Sequence, residues 1–184
     1  MLKPIDYESE RLCVHSFRPY DLQRFDQFAL DILSILSDDF TLKFIPGKRL
    51  NTIVEAEAFL QTMIVNFHNG RNFMHFITDK KMNRVIGIID LISPKVAREH
   101  YEIEKYPYFI EFYLSGLAAG TSIMSEILPA IVSNVISQGI TCIGAVIDRN
   151  NTAAKKVLEK ASFLYKSRFD ILQDFYETDL GNYK

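Results

Sequence analysis

Small residues fill the segment between a predicted strand and a long predicted helix, and here the sequence first suggests chemistry. The segment reads Ser115-Gly116-Leu117-Ala118-Ala119-Gly120-Thr121-Ser122 and leads into a helix predicted over 122–138. The start of a helix exposes unpaired N–H groups and the positive end of the helix dipole, so an anion such as a pyrophosphate can bind there. Taken by itself, the pattern is more typical of a plain turn before a helix.

A second polar segment, Ile147-Asp148-Arg149-Asn150-Asn151-Thr152, follows an apolar strand and opens a short helix predicted over 152–161. Asn and Thr are common N-cap residues, because their side chains satisfy free N–H groups of the first turn. Capping is therefore the simplest interpretation of this segment when it is considered alone.

Glu111 is the candidate general base, because it is a carboxylate in the otherwise apolar strand predicted over 108–114. Apolar surroundings disfavour the charged form of a carboxylate and make it a better proton acceptor. The alternative is a surface or edge carboxylate on the polar side of an alternating strand. Tyr113 is a nearby candidate proton donor or a packing residue. The four histidines show no metal-ligand spacing, so no metal site is predicted.

The elements that must position these residues form a mixed α and β chain. Hydrophobic periodicity predicts helices from Asp21 to the residues before Asp38 and from Asn51 or Thr52 to Gly70, besides those named above. Strands are predicted over 12–17, 72–78, 84–92, 108–114, 140–147, 163–169 and 175–180. The second and third of these should form an antiparallel hairpin, and the strands at 108–114 and 140–147 should form a βαβ unit.

Two segments leave alternatives open. Pro129 either bends the helix over 122–138 or lies in the first turn of a helix that starts late. The connection over 93–107 and the residue after it carry Tyr101, Tyr106 and Tyr108 among Glu99, Glu102 and Glu104. This connection could line an acceptor cleft and attract a cationic amine, or it could be a solvated charged loop.

Composition excludes several classes of protein. The chain has 184 residues, a formal charge of −2 and 48% hydrophobic residues, which indicates one globular domain over 1–184 rather than a disordered chain. The small net charge gives no general attraction to nucleic acid or anionic membranes. Cys13 and Cys142 form no metal or disulfide pattern. With no signal-peptide core and no apolar run of about 18 residues, a cytoplasmic protein is expected.

Taken together and in order, the motifs resemble the GNAT (Gcn5-related N-acetyltransferase) superfamily, in the branch that acetylates N-terminal amines of ribosomal proteins. The family's opening strand resembles Glu10-Arg11-Leu12 with Phe17, and the turn before its second helix resembles Phe44-Ile45-Pro46-Gly47. Two of its central strands resemble Val85-Ile86-Gly87-Ile88-Ile89 and Phe112-Tyr113-Leu114-Ser115. In the next helix Glu126 and Leu128 match. The most specific match fixes Asp148, Asn151, Thr152, Ala153, Val157, Leu158, Glu159, Lys160 and Phe163.

The resemblance implies a fold and a co-substrate. The fold is a mostly antiparallel sheet with one splayed parallel strand pair and helices on both faces. Acetyl-CoA would lie along Phe112 and Leu114, with Asn151 contacting its pantetheine arm or the departing thiol. The pyrophosphate loop falls on Ala119, Gly120, Thr121, Ser122, Ile123 and Met124.

Several residues of this chain depart from the family pattern. Ala119 stands where the family has a basic or amide residue, and Ser122 and Ser162 replace glycines. Met124 replaces a small residue, and its larger side chain could crowd the approach to the phosphates. Many family members have a Tyr on this short helix that acts as general acid, and Leu158 occupies its position here. The thiolate would then depart unassisted or be protonated by water.

The implied activity is direct transfer of an acetyl group to a primary amine, either a protein N-terminus or a small molecule. An alternative of another class is a GNAT-fold binding or regulatory module with a weakened or lost acetyl-CoA site. A homodimer is compatible with the sequence, although no particular residue indicates one.

Overall fold

The computed structural model describes residues 2–178 and is built around one eight-stranded sheet. The strands are β1 (Tyr7–Glu8), β2 (Leu12–His15), β3 (Asn72–Asp79), β4 (Arg84–Ile92), β5 (Tyr108–Leu114), β6 (Ile143–Asp148), β7 (Phe163–Arg168) and β8 (Gln173–Thr178). Their order is β1-β2-β3-β4-β5-β6-β8-β7. Neighbouring strands run antiparallel except β5 and β6, which are parallel. This confirms the predicted fold class. Residues 179 and 180 of the last predicted strand lie outside the described residues.

In residues 2–178, six α-helices pack around this sheet: α1 (Phe25–Leu36), α2 (Asp39–Leu42), α3 (Ile53–His68), α4 (Pro94–His100), α5 (Ile123–Ser137) and α6 (Thr152–Lys160). Helices α1 and α3 cover one face, where Phe28 of α1 and Phe76 of β3 pack edge-to-face with ring centroids 5.0 Å apart. Helices α5 and α6 cover the other face with buried residues such as Ile127 and Leu158. In the described part of the chain, no helix is long and apolar enough to cross a membrane.

The parallel pair β5–β6 separates soon after it forms. Only Tyr108–Ile143 and Phe109–Gly144 are in register, so the later residues of both strands diverge. The close packing at the paired end depends on Gly144, because a Cβ there would lie 3.2 Å from the Phe109 ring of β5 and 2.8 Å from the Phe175 ring of β8. Helix α5 connects the two strands as a βαβ unit, as predicted.

Two predicted features need correction. The connection over 93–107 contains a helix, α4, which Ser93 caps by accepting the N–H of Val96 and which Pro94 begins. A Ser-Pro pair is a favourable helix start, so the signal was present in the sequence. The late-start alternative for the helix over 122–138 is also wrong, because α5 begins at Ile123 and keeps Pro129 inside it.

Candidate active site

A cleft of about 890 Å³ opens where β5 and β6 diverge. Its walls are the ends of β5 and β6, the first turns of α5 and α6, and the segment from α2 to residue 45. Every predicted site residue except Thr121 lines this cleft: Glu111, Phe112, Tyr113, Leu114, Ala119, Gly120, Ser122, Ile123, Met124 and Asn151. The hydroxyl of Thr121 instead donates to the carbonyl of Ala118 at 2.6 Å. Residues far apart in the sequence are thus brought to one place by the fold.

The first turn of α5 reaches this cleft without a side-chain cap. Within residues 2–178, helices α2, α3, α4 and α6 each have an N-cap side chain that accepts a backbone N–H, whereas the N-caps of α1 and α5, Arg24 and Ser122, accept none. Of these two uncapped helices, α5 is the one that lines the cleft. The helical hydrogen bonds of α5 begin with the Glu126 N–H, which donates to Ser122 O at 3.1 Å. The N–H groups before Glu126 therefore remain free to bind a ligand.

The backbone before α5 turns through the left-handed region twice. Gly120 has φ = 73° and Ser122 has φ = 62°. A Cβ on Gly120 would meet nothing within 4 Å, so the surface over this glycine is open. Met124, the residue expected to crowd the loop, is 4% exposed and packs into the core beneath α5, although part of it still touches the cleft.

The edge of β5 that faces β6 presents backbone N–H groups to the cleft. The N–H of Ser115 donates to β4, so alternation along an antiparallel strand directs the N–H and C=O groups of Leu114 and Phe112 to the opposite side. In agreement, Thr41 Oγ1 donates to Leu114 O at 2.7 Å from the other side. Because the pairing with β6 stops at residue 109, the N–H groups of Phe112 and Leu114 face the opening.

Glu111 lies in a polar cluster rather than in an apolar pocket. Its Oε2 accepts from Lys48 Nζ at 2.8 Å and from the hydroxyl of Tyr113, and its side chain is 25% exposed. In the described chain its second oxygen, Oε1, has no donor. Burial, reinforced by the Glu111 charge, raises the pKa of Tyr113 well above its ordinary value, so Tyr113 stays protonated. Burial also raises the pKa of Tyr101, on the same cleft wall, to about 12.

Asp90 is a functional candidate that the sequence analysis missed. It lies directly opposite Glu111 in the β4–β5 ladder and is 4% exposed. Its Oδ2 accepts from Asn72 Nδ2 at 2.7 Å, while its buried Oδ1 has no hydrogen-bond partner in the described chain. Burial, with the charge of Glu111, raises the pKa of Asp90 to about 7. A carboxylate inside the apolar run of β4 is the signal that could have found it.

Helix α6 contributes a cap and two lysines to the cleft. Asn151 Oδ1 accepts the N–H of Ala154 at 3.0 Å, which confirms the capping interpretation and leaves the amide nitrogen for other contacts. Lys156 and Lys160 also line the cleft. Their spacing of four residues places them on one helix face, a signal that the sequence analysis did not use.

Of the acidic connection after β4, only Tyr101 lines the cleft. Glu99 pairs with Arg71 Nη2 at 2.6 Å, and the Tyr106 hydroxyl donates to Tyr101 O at 2.9 Å. Much of this segment therefore serves structural contacts. In residues 2–178, no group of three or more His, Cys, Asp or Glu residues is placed to hold a metal ion.

Comparison with known proteins points to one family. Residues 11–164 match the family model described as an acetyltransferase (GNAT) domain. The search of curated proteins gives no match.

Three solved structures illustrate the likeness in fold. The ribosomal-protein-S5-alanine acetyltransferase of Vibrio fischeri has 14% identity and a TM-score of 0.68, with 98% of this chain and 99% of that chain covered. The microcin C7 self-immunity acetyltransferase MccE, in complex with acetyl-CoA and AMP, has 14% identity and a TM-score of 0.71, with 92% and 93% covered. RimL, a ribosomal L7/L12 α-N-protein acetyltransferase in complex with coenzyme A, has 18% identity and a TM-score of 0.67, with 95% and 97% covered.

Proposed function

The chain belongs to the GNAT acetyltransferase family and is an acyltransferase, and from this premise we propose that it moves an acetyl group from acetyl-CoA directly to a primary amine. The acceptor is a protein N-terminus or a small-molecule amine. Similar folds include RimL, solved with coenzyme A, and MccE, solved with acetyl-CoA, which supports acetyl-CoA as the donor.

The observation that carries this proposal is the uncapped N-terminus of α5 beside the free edge of β5 in one cleft. The N–H groups around Gly120 and Ser122 would bind the pyrophosphate, since a helix N-terminus favours anions. Lys156 and Lys160 line the same cleft and would supply the positive charge that the loop itself lacks. These two lysines would offset the loss of the family's basic or amide residue at Ala119.

The edge of β5 would hold the rest of the donor. Backbone N–H groups of Phe112 and Leu114 are placed to bind the pantetheine arm and to donate to the thioester oxygen as negative charge develops there. Asn151 follows β6 at the same opening, where its amide nitrogen can contact the arm or the departing thiol.

Glu111 would take the proton of the acceptor. An ammonium cannot attack, so its N–H bond breaks first and the proton passes to Glu111 Oε1, the oxygen without a donor. The neutral amine then attacks the thioester carbon, forming the C–N bond while the C–S bond breaks. The second nitrogen proton ends on the thiolate, and the proton on Glu111 passes to water. Tyr113, which stays protonated, orients Glu111 through its hydroxyl.

The acceptor end of the cleft is aromatic. Phe40, Phe44 and Tyr101 line the cleft together with Glu111, and the Glu111 charge acts on the Tyr101 hydroxyl. Aromatic walls together with the Glu111 carboxylate suit an ammonium group whose flanking group is apolar. A peptide N-terminus meets this description, and the similar folds that act on ribosomal proteins make it the first acceptor to test.

Thermal unfolding with acetyl-CoA tests the proposal. A ligand that binds only the native state raises Tm, so millimolar acetyl-CoA should raise it measurably. The variant Gly120→Glu places a negative carboxylate in the open surface over the loop and should abolish the shift, whereas Gly47→Glu, also in open space, should keep it. Absence of a shift in the unaltered protein would favour a binding module without a working acetyl-CoA site.

Transfer itself is tested with a serine-initiated peptide as the acceptor, because one similar fold is the acetyltransferase of Salmonella typhimurium that modifies the N-terminal serine of ribosomal protein L7/L12. Glu111→Gln should lower the rate of acetyl transfer by about 10²-fold or more, because general base catalysis contributes that much. An unchanged rate would remove Glu111 as the base. Glu126→Gln, on the other face of the sheet and bonded to Tyr7, is the matched control.

A further inference from the structure

Asp90 is a buried carboxyl that the fold does not require. It pairs with Met74 of β3 in the ladder and lies on the sheet face that α1 and α3 cover with apolar residues. Burying a carboxyl there is costly unless it is fully hydrogen-bonded or neutral. Asn72 satisfies one oxygen, and the other has no donor in the described chain. A protein that needed only a stable sheet would place an apolar residue at this position.

The register connects Asp90 to the reaction site. Asp90 and Glu111 are direct partners across β4 and β5, so their side chains leave the sheet on the same face with Cβ atoms about 5 Å apart. Two carboxyl groups this close cannot both be ionised cheaply. Glu111 has Lys48 and the Tyr113 hydroxyl as partners, whereas Asp90 has a neutral amide. Asp90 is therefore the member of the pair that keeps a proton.

The charged and titratable groups around the pair come from three other places. Lys48 approaches Glu111 from the connection after α2, and its charge also acts on Asp90. Tyr113 lies two residues further along β5, and Tyr101 follows α4; the pKa values of both tyrosines are raised in part by these two carboxylates. The single charge of Lys48 is shared between the two carboxylates, because Lys48 pairs with Glu111 and also acts on Asp90.

We propose that Asp90 is a positioning residue for Glu111, and that the two carboxyls act as a coupled pair that sets how strongly Glu111 accepts the proton of the acceptor ammonium. The inference rests on the acetyl transfer proposed above. While Asp90 is protonated, Lys48 neutralises Glu111. When Asp90 ionises, a second negative charge stands beside Glu111, and Glu111 binds the ammonium proton more tightly. Protons balance as before, because Asp90 only exchanges its own proton with water.

Carboxyl NMR on the full chain tests the coupling without using activity. The titration of the Asp90 carboxyl carbon is followed in the unaltered protein, in Glu111→Gln and in the control Glu126→Gln. Removal of the Glu111 charge should lower the Asp90 midpoint by roughly half a pH unit or more, while the control leaves it unchanged. An equal midpoint in all three proteins overturns the proposal.

The pH profile of acetyl transfer to the serine-initiated peptide gives the second readout. The unaltered protein should show an ionisation near neutral pH that Asp90→Asn lacks, because the amide keeps the shape and loses the titration. A purely structural role would lower the rate equally at every pH and overturn the proposal. If acetyl-CoA gives no thermal shift in the unaltered protein, the proposed function fails as well; if the shift is present and the coupling is absent, this inference alone fails.

Discussion

Gly87 of β4 lies directly opposite Leu114 of β5, and the strands approach so closely that a side chain at position 87 would not fit. A Cβ there would lie 2.6 Å from Leu114 Cδ2 and 2.8 Å from the carbonyl oxygen of Tyr113. The second of these atoms is backbone, so it cannot move without shifting β5. Gly87 therefore fixes the strand edge that faces the cleft.

Gly87→Ala should destabilise the protein by about 1–3 kcal/mol, the usual cost of overpacking a tight core. It should also reduce the thermal shift caused by acetyl-CoA, because β5 moves toward the opening. Urea unfolding and thermal shift measure the two effects. Gly47→Ala is the matched control, since a Cβ at that glycine meets nothing within 4 Å. Equal stability of the two variants would contradict the close approach.

Ser122 and Ser162 occupy left-handed backbone conformations, with φ of 62° and 59°. Left-handed conformation costs an L-residue roughly 1–2 kcal/mol, and glycine avoids this cost while losing more chain entropy. Ser122→Gly and Ser162→Gly should therefore each raise the free energy of unfolding by about 0.5–1 kcal/mol. Ser125→Gly inside α5 should lower it instead. Destabilisation by all three substitutions would show that the two turns are not strained.

His75 should make stability depend on pH below neutrality. Ile5 N–H donates to its Nε2 at 3.0 Å and its Nδ1 donates to Phe73 O at 2.8 Å, so the folded state holds a neutral ring. Burial lowers the pKa of His75 from 6.5 to about 4. Between these values the unfolded chain binds the extra proton, so stability falls as pH decreases from 6.5 to 4. Compared with His75→Gln, the loss should total about 3 kcal/mol in denaturant unfolding. If the difference in unfolding free energy between the two proteins does not change with pH, His75 is not a buried neutral ring.

Asp90 should make the free energy of unfolding depend on pH in the opposite direction. Its folded pKa of about 7 lies above the ordinary 3.8, so its contribution is fully present below pH 3.8 and is lost as pH rises through 7. Relative to Asp90→Asn, the unaltered protein should lose about 4 kcal/mol over this range. Urea unfolding at several pH values measures the difference. If the difference does not change with pH, Asp90 is not a buried neutral acid.

Much of the fold could be predicted because its signals are local. Hydrophobic periodicity located the major helices, and the run at 108–114 gave the bounds of β5. The parallel pairing of β5 and β6 followed from the long helix between them. Helix α4 was missed although Ser93 and Pro94 mark its start, because the charged residues around it suggested a loop.

The site was only partly predictable because its remaining contacts depend on register. Lys48 reaches Glu111 from 63 residues away, and Asp90 becomes its neighbour only through the β4–β5 ladder. A single sequence does not reveal that Lys48 contacts Glu111 or that Asp90 is the strand partner of Glu111. The apolar setting expected for Glu111 belongs instead to Asp90, one strand away.

Backbone amide hydrogen exchange with and without acetyl-CoA tests most directly whether the cleft between β5 and β6 is the donor site. Bound acetyl-CoA should slow exchange at Phe112 and Leu114, at residues 120–124 and at the start of α6, while the β2–β3 ladder on the far side of the sheet stays unchanged. Unchanged exchange at Phe112 and Leu114, with or without protection elsewhere in the chain, would contradict the proposed function.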